Sequence, residues 1–325
     1  LEEMRRIPNK TFDLVFADPP YDMPKLDTLP DVIRESGILA QGGWFILEHG
    51  ERMDVLRRFH QPRGRGMGGS SAINAMLYIR GNSWDYDNWA AMGCTGWAYE
   101  DVLPYFKRSE SNERGGDAFH GGDGPLSVSD QHSVNPGSKA FVESAARLQM
   151  PLNEDFNGAR QAGFGIYQTT TKGGERWTAS RAYIDPVRSR ENLHVLTGAL
   201  TEKLIVENGR VTGVRIQRGG ETQTLRARGA VVLSAGAFGS PHILQLSGIG
   251  PAEHLRYHSI DVVLDKPSVG ENLQDHIDYV ASFETRSRDF IGDSLTGTLK
   301  MARAMVEHRL RRTGIMTTPY AEAGG

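Results

Sequence analysis

The chain has 325 residues, with 37 Lys and Arg against 40 Asp and Glu, for a net charge of −3. That balance gives no global electrostatic case for nucleic acid. The single cysteine, Cys94, excludes a disulfide framework or a cysteine zinc site within one chain and reads as a buried or indifferent thiol. No apolar run approaches the length of a membrane span. The charged opening LEEMRRIPNK has no signal core and no initiator Met. The expectation is a soluble, cytoplasmic protein whose chain begins inside a longer product. The 38 glycines cluster at turns and point to a loop-rich α/β or α+β protein.

Residues 12–17, FDLVFA, read as a buried strand stopped by Pro19 and Pro20, which cannot continue a central strand. Residues 29–39 suggest a helix with Pro30 early and Gly42-Gly43 beyond its end. Residues 44–48, WFILE, read as a second strand, so strand, helix and strand make half of a parallel, doubly wound sheet. The tetrapeptide Asp18-Pro19-Pro20-Tyr21 at a strand's carboxyl end resembles the motif of amino-methyltransferases that use S-adenosylmethionine. The wider stretch through GGWFILEHG resembles the late part of 16S rRNA guanine-N2 methyltransferases. That resemblance implies base extrusion and stacking on the Tyr, and it covers about the first sixty residues. The cofactor loop such enzymes carry after their first strand does not precede Asp18.

Residues 62–80, PRGRGMGGSSAINAMLYIR, hold Gly64, Gly66, Gly68 and Gly69 ahead of Ser70, Ser71 and Asn74. Glycine lets backbone approach a ligand closely, and backbone N–H groups in such a turn suit an anion. Trp84, Tyr86, Trp89, Trp97 and Tyr105 read as core and loop packing. Residues 193–196, 200–206 and 211–217 alternate polar and apolar. Glu207-Asn208-Gly209-Arg210 is a hairpin signal, and Gly219-Gly220 turns the ribbon once more. Residues 230–235, AVVLSA, read as a buried strand feeding Gly236. Ser240 reads as the cap of a short helix that starts at Pro241 and ends near Gly248. The histidines are scattered. His254 and His258, four apart without a third ligand, read as a solvated helix face rather than a zinc site. Arg309, Arg311 and Arg312 fit a helix C-terminus.

Residues 64–74, with Tyr78, Gly81 and Asp87, resemble the first signature of the glucose–methanol–choline oxidoreductases, with Met67 a mild departure. Residues 236–250, GAFGSPHILQLSGIG, match the second signature, and residues 269–276, VGENLQDH, resemble a third family stretch. FHGGDGPLSVS at 119–129 and residues 168–197 resemble the alcohol- and choline-dehydrogenase branch. The resemblance implies an α/β fold with antiparallel additions: an incomplete Rossmann-like flavin domain over 61–276 and the start of a substrate domain over 277–325, preceded by the β-α-β fragment of 1–60. It implies noncovalent FAD, since the position of the covalent His falls at Gln61 or Pro62. By position it implies flavin contacts from Gly66, Gly68 and Gly69, with Asn74, Ala75, Met76 and Leu77 along the isoalloxazine and ribityl portion. Thr201 falls near the adenine, and Gly236, Asn272, Asp275 and His276 fall close to the flavin. For His276 a structural role at a helix entry stands equally open.

The implied activity is FAD-dependent oxidation of a CH–OH group in a small alcohol such as choline, with hydride passing to the flavin. The family's catalytic His is expected beyond residue 325, and no GxGxxG fingerprint precedes the glycine cluster. The sequence therefore reads as two incomplete enzymes joined near residue 60. Two alternatives stay open: an rRNA methyltransferase remnant binding S-adenosylmethionine, and a noncatalytic chimeric product.

Overall fold

The computed structural model describes residues 12–17, 39–47, 63–275, 295–319 and 321–325. The chain divides into two compact units, Leu1–Pro62 and Arg63–Gly325. In the first, β1 (Phe12–Ala17) and β2 (Leu39–Leu47) pair in parallel, with Leu14 opposite Trp44 and Ala17 opposite Leu47. The register shifts between Phe12 and Leu14, where β2 spends extra residues that include Gly42 and Gly43. Gly42-Gly43 therefore lie inside a strand rather than in the turn read from the sequence, and Leu39 opens that strand instead of closing a helix. A bulge accommodates residues without a Cβ, which explains the difference. Residues 18–21 and the remainder of the helix read over 29–39 lie outside the described residues.

The second unit opens with the glycine loop and then α1 (Ser83–Ala91), whose start is fixed locally. Asn82 Oδ1 accepts from Trp84 N at 3.0 Å, and Asp85 Oδ2 accepts from Asn82 N at 2.7 Å, a reciprocal capping pair. In α2 (Tyr99–Ser109), Glu100 and Asp101 sit in the first turn and Lys107 and Arg108 in the last, the arrangement the helix dipole favours. It runs directly into β3 (Glu110–Asn112), which pairs in parallel with β4 (Leu126–Val128). Next come α3 (Pro136–Arg147), capped by Asn135, then β5 (Gly165–Ile166) and the hairpin of β6 (Thr171–Lys172) and β7 (Glu175–Arg176).

The three-stranded antiparallel ribbon is β8 (Ala199–Glu207), β9 (Arg210–Arg218) and β10 (Glu221–Arg226), with turns at Asn208-Gly209 and Gly219-Gly220. Residues 193–196, read as a strand from their alternation, stay outside it. After the ribbon come α4 (Gly236–Leu246), β11 (Ile249–Gly250), α5 (Ala252–Tyr257), β12 (Leu264–Asp265), α6 (Leu295–Arg311) and β13 (Ala323–Gly324). The last strand returns to pair with β5. Leu204 and Ile216 on the ribbon, Ile243 on α4 and Leu255 on α5 are buried, Leu255 completely at 0% exposure. Ser247 ties α4 to the ribbon: its Oγ accepts from Leu204 N at 2.8 Å and donates to Ile243 O.

Two further expectations change here. Residues 230–235 are not a strand, and Val232 is 86% exposed. A buried strand exists only through its neighbours, and no described residue pairs with this run. The helix read as starting at Pro241 begins at Gly236 instead. Ser240 Oγ accepts from Ala235 N at 2.9 Å, folding back on the entry rather than capping a later start. Pro241 then sits inside the helix. Its missing N–H removes one intrahelical bond at the middle of this 11-residue helix. Among the described residues of the second unit the sheets are small, and the ribbon is the largest. The Cys94 thiol is exposed. Trp84, Trp97 and Tyr105 are largely exposed too, whereas Tyr86 packs edge-on against Trp89 and Phe106. No helix among the described residues is long and apolar enough to cross a membrane.

Candidate functional site

The glycine loop folds on itself. Gly69 N donates to Gly66 O at 3.0 Å, Ser71 N to Gly68 O at 3.2 Å, and Ile73 N and Asn74 N both to Ser70 O. A short 3-10 turn, Gly69–Ala72, results, entered through Gly68 at φ 90°. The N–H groups of Gly66, Met67 and Gly68 bond no other described residue. A Cβ placed on Gly66 or Gly69 would meet no atom within 4 Å, so the loop's outer side is open. Past the turn, with Met76 at φ 64°, the backbone pairs with residues 168–170. Thr170 N donates to Met76 O at 2.8 Å, Leu77 bridges Thr169, and Tyr78 N donates to Gln168 O at 2.9 Å. Asn157 then mimics a neighbouring strand, accepting from Arg80 N at 2.7 Å and donating to Tyr78 O at 2.8 Å.

The β6–β7 hairpin faces this segment. Gly173 and Gly174, at φ 57° and 74°, form the two-residue turn whose positive dihedrals match the twist of paired strands. The hairpin tip is docked on the C-terminal end of α6. His308 Nε2 lies 3.1 Å from Gly174 O, and Arg312 pairs with Glu175 at 3.1 Å. Residues 73–76, Arg176, Thr178, Arg181 and His308 line a cavity of about 720 Å³. Asn74, Ala75 and Met76 thus come together at one cavity wall. Leu77 lies just beyond it, with its backbone held in the bridge to Thr169.

A second cavity of about 540 Å³ lies between α4 and residues 268–274. Asn272, at φ 52°, is on its wall, and Gln245 Nε2 donates to Val269 O at 3.0 Å to hold the two segments together. Arg63, at the start of the glycine loop, stacks over the Phe238 ring of α4 at 5.5 Å. Gly236 opens α4 at φ 84°, and Asp275 ends the described stretch; His276 lies outside the described residues. Thr201 is on β8 opposite Ile216 and lines neither cavity.

A buried polar network stands behind the segment that pairs with residues 168–170, and sequence reasoning missed it. Glu110, fully buried, accepts from Arg80 Nη2 at 2.5 Å, Asn112 Nδ2 at 2.9 Å and Gly121 N at 3.2 Å. His120 Nδ1 lies 3.0 Å from Glu110 Oε1, and its Nε2 lies 3.1 Å from Asp155 Oδ2. The bond to Glu110 raises the His120 pKa above its ordinary value, burial opposes this, and Asp155 adds to the rise. Burial alone would push the Glu110 carboxyl up, but bonds from His120 and Asn112 and the Arg80 charge outweigh it and hold the group low. Each ring nitrogen thus faces a carboxyl oxygen, an arrangement that favours the protonated ring. His120 gave one sequence clue, its place in FHGGDG: a Cβ on Gly121 or Gly124 would overlap α2–β3 backbone, so the chain there can pass only as glycine.

A glycine turn whose N–H groups bond no other described residue, an adjoining cavity and an antiparallel ribbon packed on a glycine-led helix suit a bound ligand with anionic groups. The comparisons make this specific. The GMC oxidoreductase family matches residues 36–278, and the chain belongs to that family. An oxygen-dependent choline dehydrogenase of Sinorhizobium medicae is 48% identical over 223 residues, covering 69% of this chain and 40% of the relative. The Brucella ovis enzyme of the same name is 42% identical over 262 residues, 81% of this chain and 47% of the relative. An FAD-dependent oxidoreductase structure from Chaetomium thermophilum superposes with a TM-score of 0.70 at 31% identity, covering 78% of this chain and 47% of that one. The chain thus spans less than half the length of these relatives. The family match begins at residue 36 and spans residue 60, where the sequence reads as a seam. The methyltransferase resemblance of residues 1–60 finds no support in these comparisons.

Proposed function

We propose that this chain carries part of the FAD site of a GMC oxidoreductase and serves oxidation of a CH–OH group, with choline or a related small alcohol as the substrate class. The observation that carries the reading is the cavity of about 720 Å³ walled by residues 73–76. It adjoins a glycine turn whose Gly66, Met67 and Gly68 N–H groups bond no other described residue, with open space beside Gly66 and Gly69. Its size lies within the range of about 300–1,000 Å³ usual for cofactor sites. In this reading Gly66, Gly68 and Gly69 give backbone contacts. Asn74, Ala75, Met76 and Leu77 run along the ring and ribityl portion, and Thr201 serves the adenine. Gly236, Asn272, Asp275 and His276 complete the surroundings from the second and third signature stretches. Residues 61–276 are then the FAD-binding region, and residues 277–325 begin the substrate domain. When bound, the flavin supplies the two-electron acceptor. The chain's own residues bind and orient it, and no residue here is assigned the role of base.

Titration of the purified chain with FAD tests the reading. Saturable quenching of flavin fluorescence is expected, with bleaching of the flavin absorbance on anaerobic addition of choline wherever the bound chain is catalytic. A colourless protein that takes up no added FAD refutes the cofactor site.

A further inference from the structure

Among the described residues, Arg176 is the one arginine lining the candidate cavity whose contacts are all to neutral oxygens. Its Nη1 donates to Asn74 O at 2.6 Å, to Asn74 Oδ1 at 2.8 Å and to Ser71 O at 3.2 Å. No carboxylate among the described residues pairs with it. The nearby Glu175 is engaged by Arg181 at 3.0 Å and Arg312 at 3.1 Å. The cavity wall therefore holds two guanidinium groups, Arg176 and Arg181, against one carboxylate. Arg176 is partly buried, which pulls its pKa down, and no carboxylate among the described residues offsets this.

The segment just after the hairpin grips the loop a second time. Ser71 Oγ donates to Gly68 O and accepts from Ala179 N at 2.9 Å. A Cβ on Gly68 would press on Thr178 and Ser71, so the two segments meet there without room to spare. The contacts cross about a hundred residues of sequence, and only the hairpin, turned at Gly173-Gly174 and docked on α6, brings Arg176 opposite Asn74.

We infer that Arg176 is a positioning residue that locks Asn74 against the cavity, and that it is also the uncompensated positive charge facing the bound cofactor. This rests on the FAD reading above. A fixed cation beside a flavin favours its electron-rich reduced state and tightens binding of its anionic parts.

The test uses the purified chain with Arg176→Gln, which keeps a donor and loses the charge, and Arg176→Lys, which keeps both in a different shape. Three readouts are taken: FAD affinity by fluorescence quenching, the reduction potential of the bound flavin, and amide exchange at Ile73 and Asn74 without FAD. Arg176→Gln is expected to bind FAD about tenfold or more weakly, to lower the flavin potential and to speed exchange at both amides. Arg176→Lys is expected to restore most of the potential and part of the affinity. Wild-type affinity and potential in Arg176→Gln would overturn the inference. So would equal loss of stability in both variants with an unmoved potential, the signature of packing alone. If the wild-type chain takes up no FAD, the FAD reading and the charge role fail together. Exchange then decides the rest: faster exchange in Arg176→Gln upholds the lock on Asn74, and unchanged exchange overturns it.

Discussion

Replacing Glu110 by Gln should be among the most destabilising single changes in the second unit. The carboxylate is completely buried and takes hydrogen bonds from Arg80, Asn112, His120 and Gly121. The Arg80 side chain is 3% exposed, so water cannot replace its partner. An amide keeps one acceptor for His120 and Asn112 but turns its NH2 toward the Arg80 guanidinium and the Gly121 N–H, donor against donor. Leaving one member of a buried ion pair uncompensated costs about 3–5 kcal/mol. Against a usual domain stability of about 5–15 kcal/mol, that is about a fifth of the total or more. Equilibrium urea unfolding followed by tryptophan fluorescence measures it, since Trp84, Trp89 and Trp97 sit in or beside α1 and α2. A double-mutant cycle with Arg80→Met isolates the pair, with an expected coupling of about 1–3 kcal/mol. A Glu110→Gln loss below about 1 kcal/mol, or no coupling to Arg80, would refute the account.

The same network sets a pH window. The folded pKa of His120 lies above its ordinary 6.5, so its contribution is complete below that value and is lost as pH rises through the folded pKa. The folded pKa of Glu110 lies below its ordinary 4.5, so its contribution is present above that value and is lost as pH falls through the folded pKa. Urea midpoints should peak between those two ordinary values, and His120→Gln should flatten the alkaline side; an alkaline side unchanged by the substitution counts against the imidazolium. Gly174→Ala should cost about 1–3 kcal/mol or more, because φ is 74° and the new Cβ would overlap the Arg312 carbonyl oxygen. A thermal melt shifted by less than a degree would show that the hairpin tip is not held against α6.

Features governed by a few neighbouring residues were legible in the chain itself. Asn208-Gly209 and Gly219-Gly220 turn the ribbon where their dihedral freedom dictates. Arg309 and Arg311 close α6, and exposed His254 on α5 meets His258, just past its end, edge-on. The run around Gly66–Gly69 and Asn74 carried a family signature, and its turn, with Gly66, Gly68 and Gly69 at positive φ, needs glycine whatever surrounds it. Tertiary structure decided what depends on distant partners. The apolar run at 230–235 has strand composition, but a strand needs a neighbour that local sequence cannot supply. His120 looked like any loop histidine until folding set Glu110 and Asp155 on its two nitrogens. Arg176 meets Asn74 across 102 positions, a contact no spacing rule encodes. Local sterics are written in adjacent residues, whereas pairing of buried charges is set by which segments the whole chain packs together.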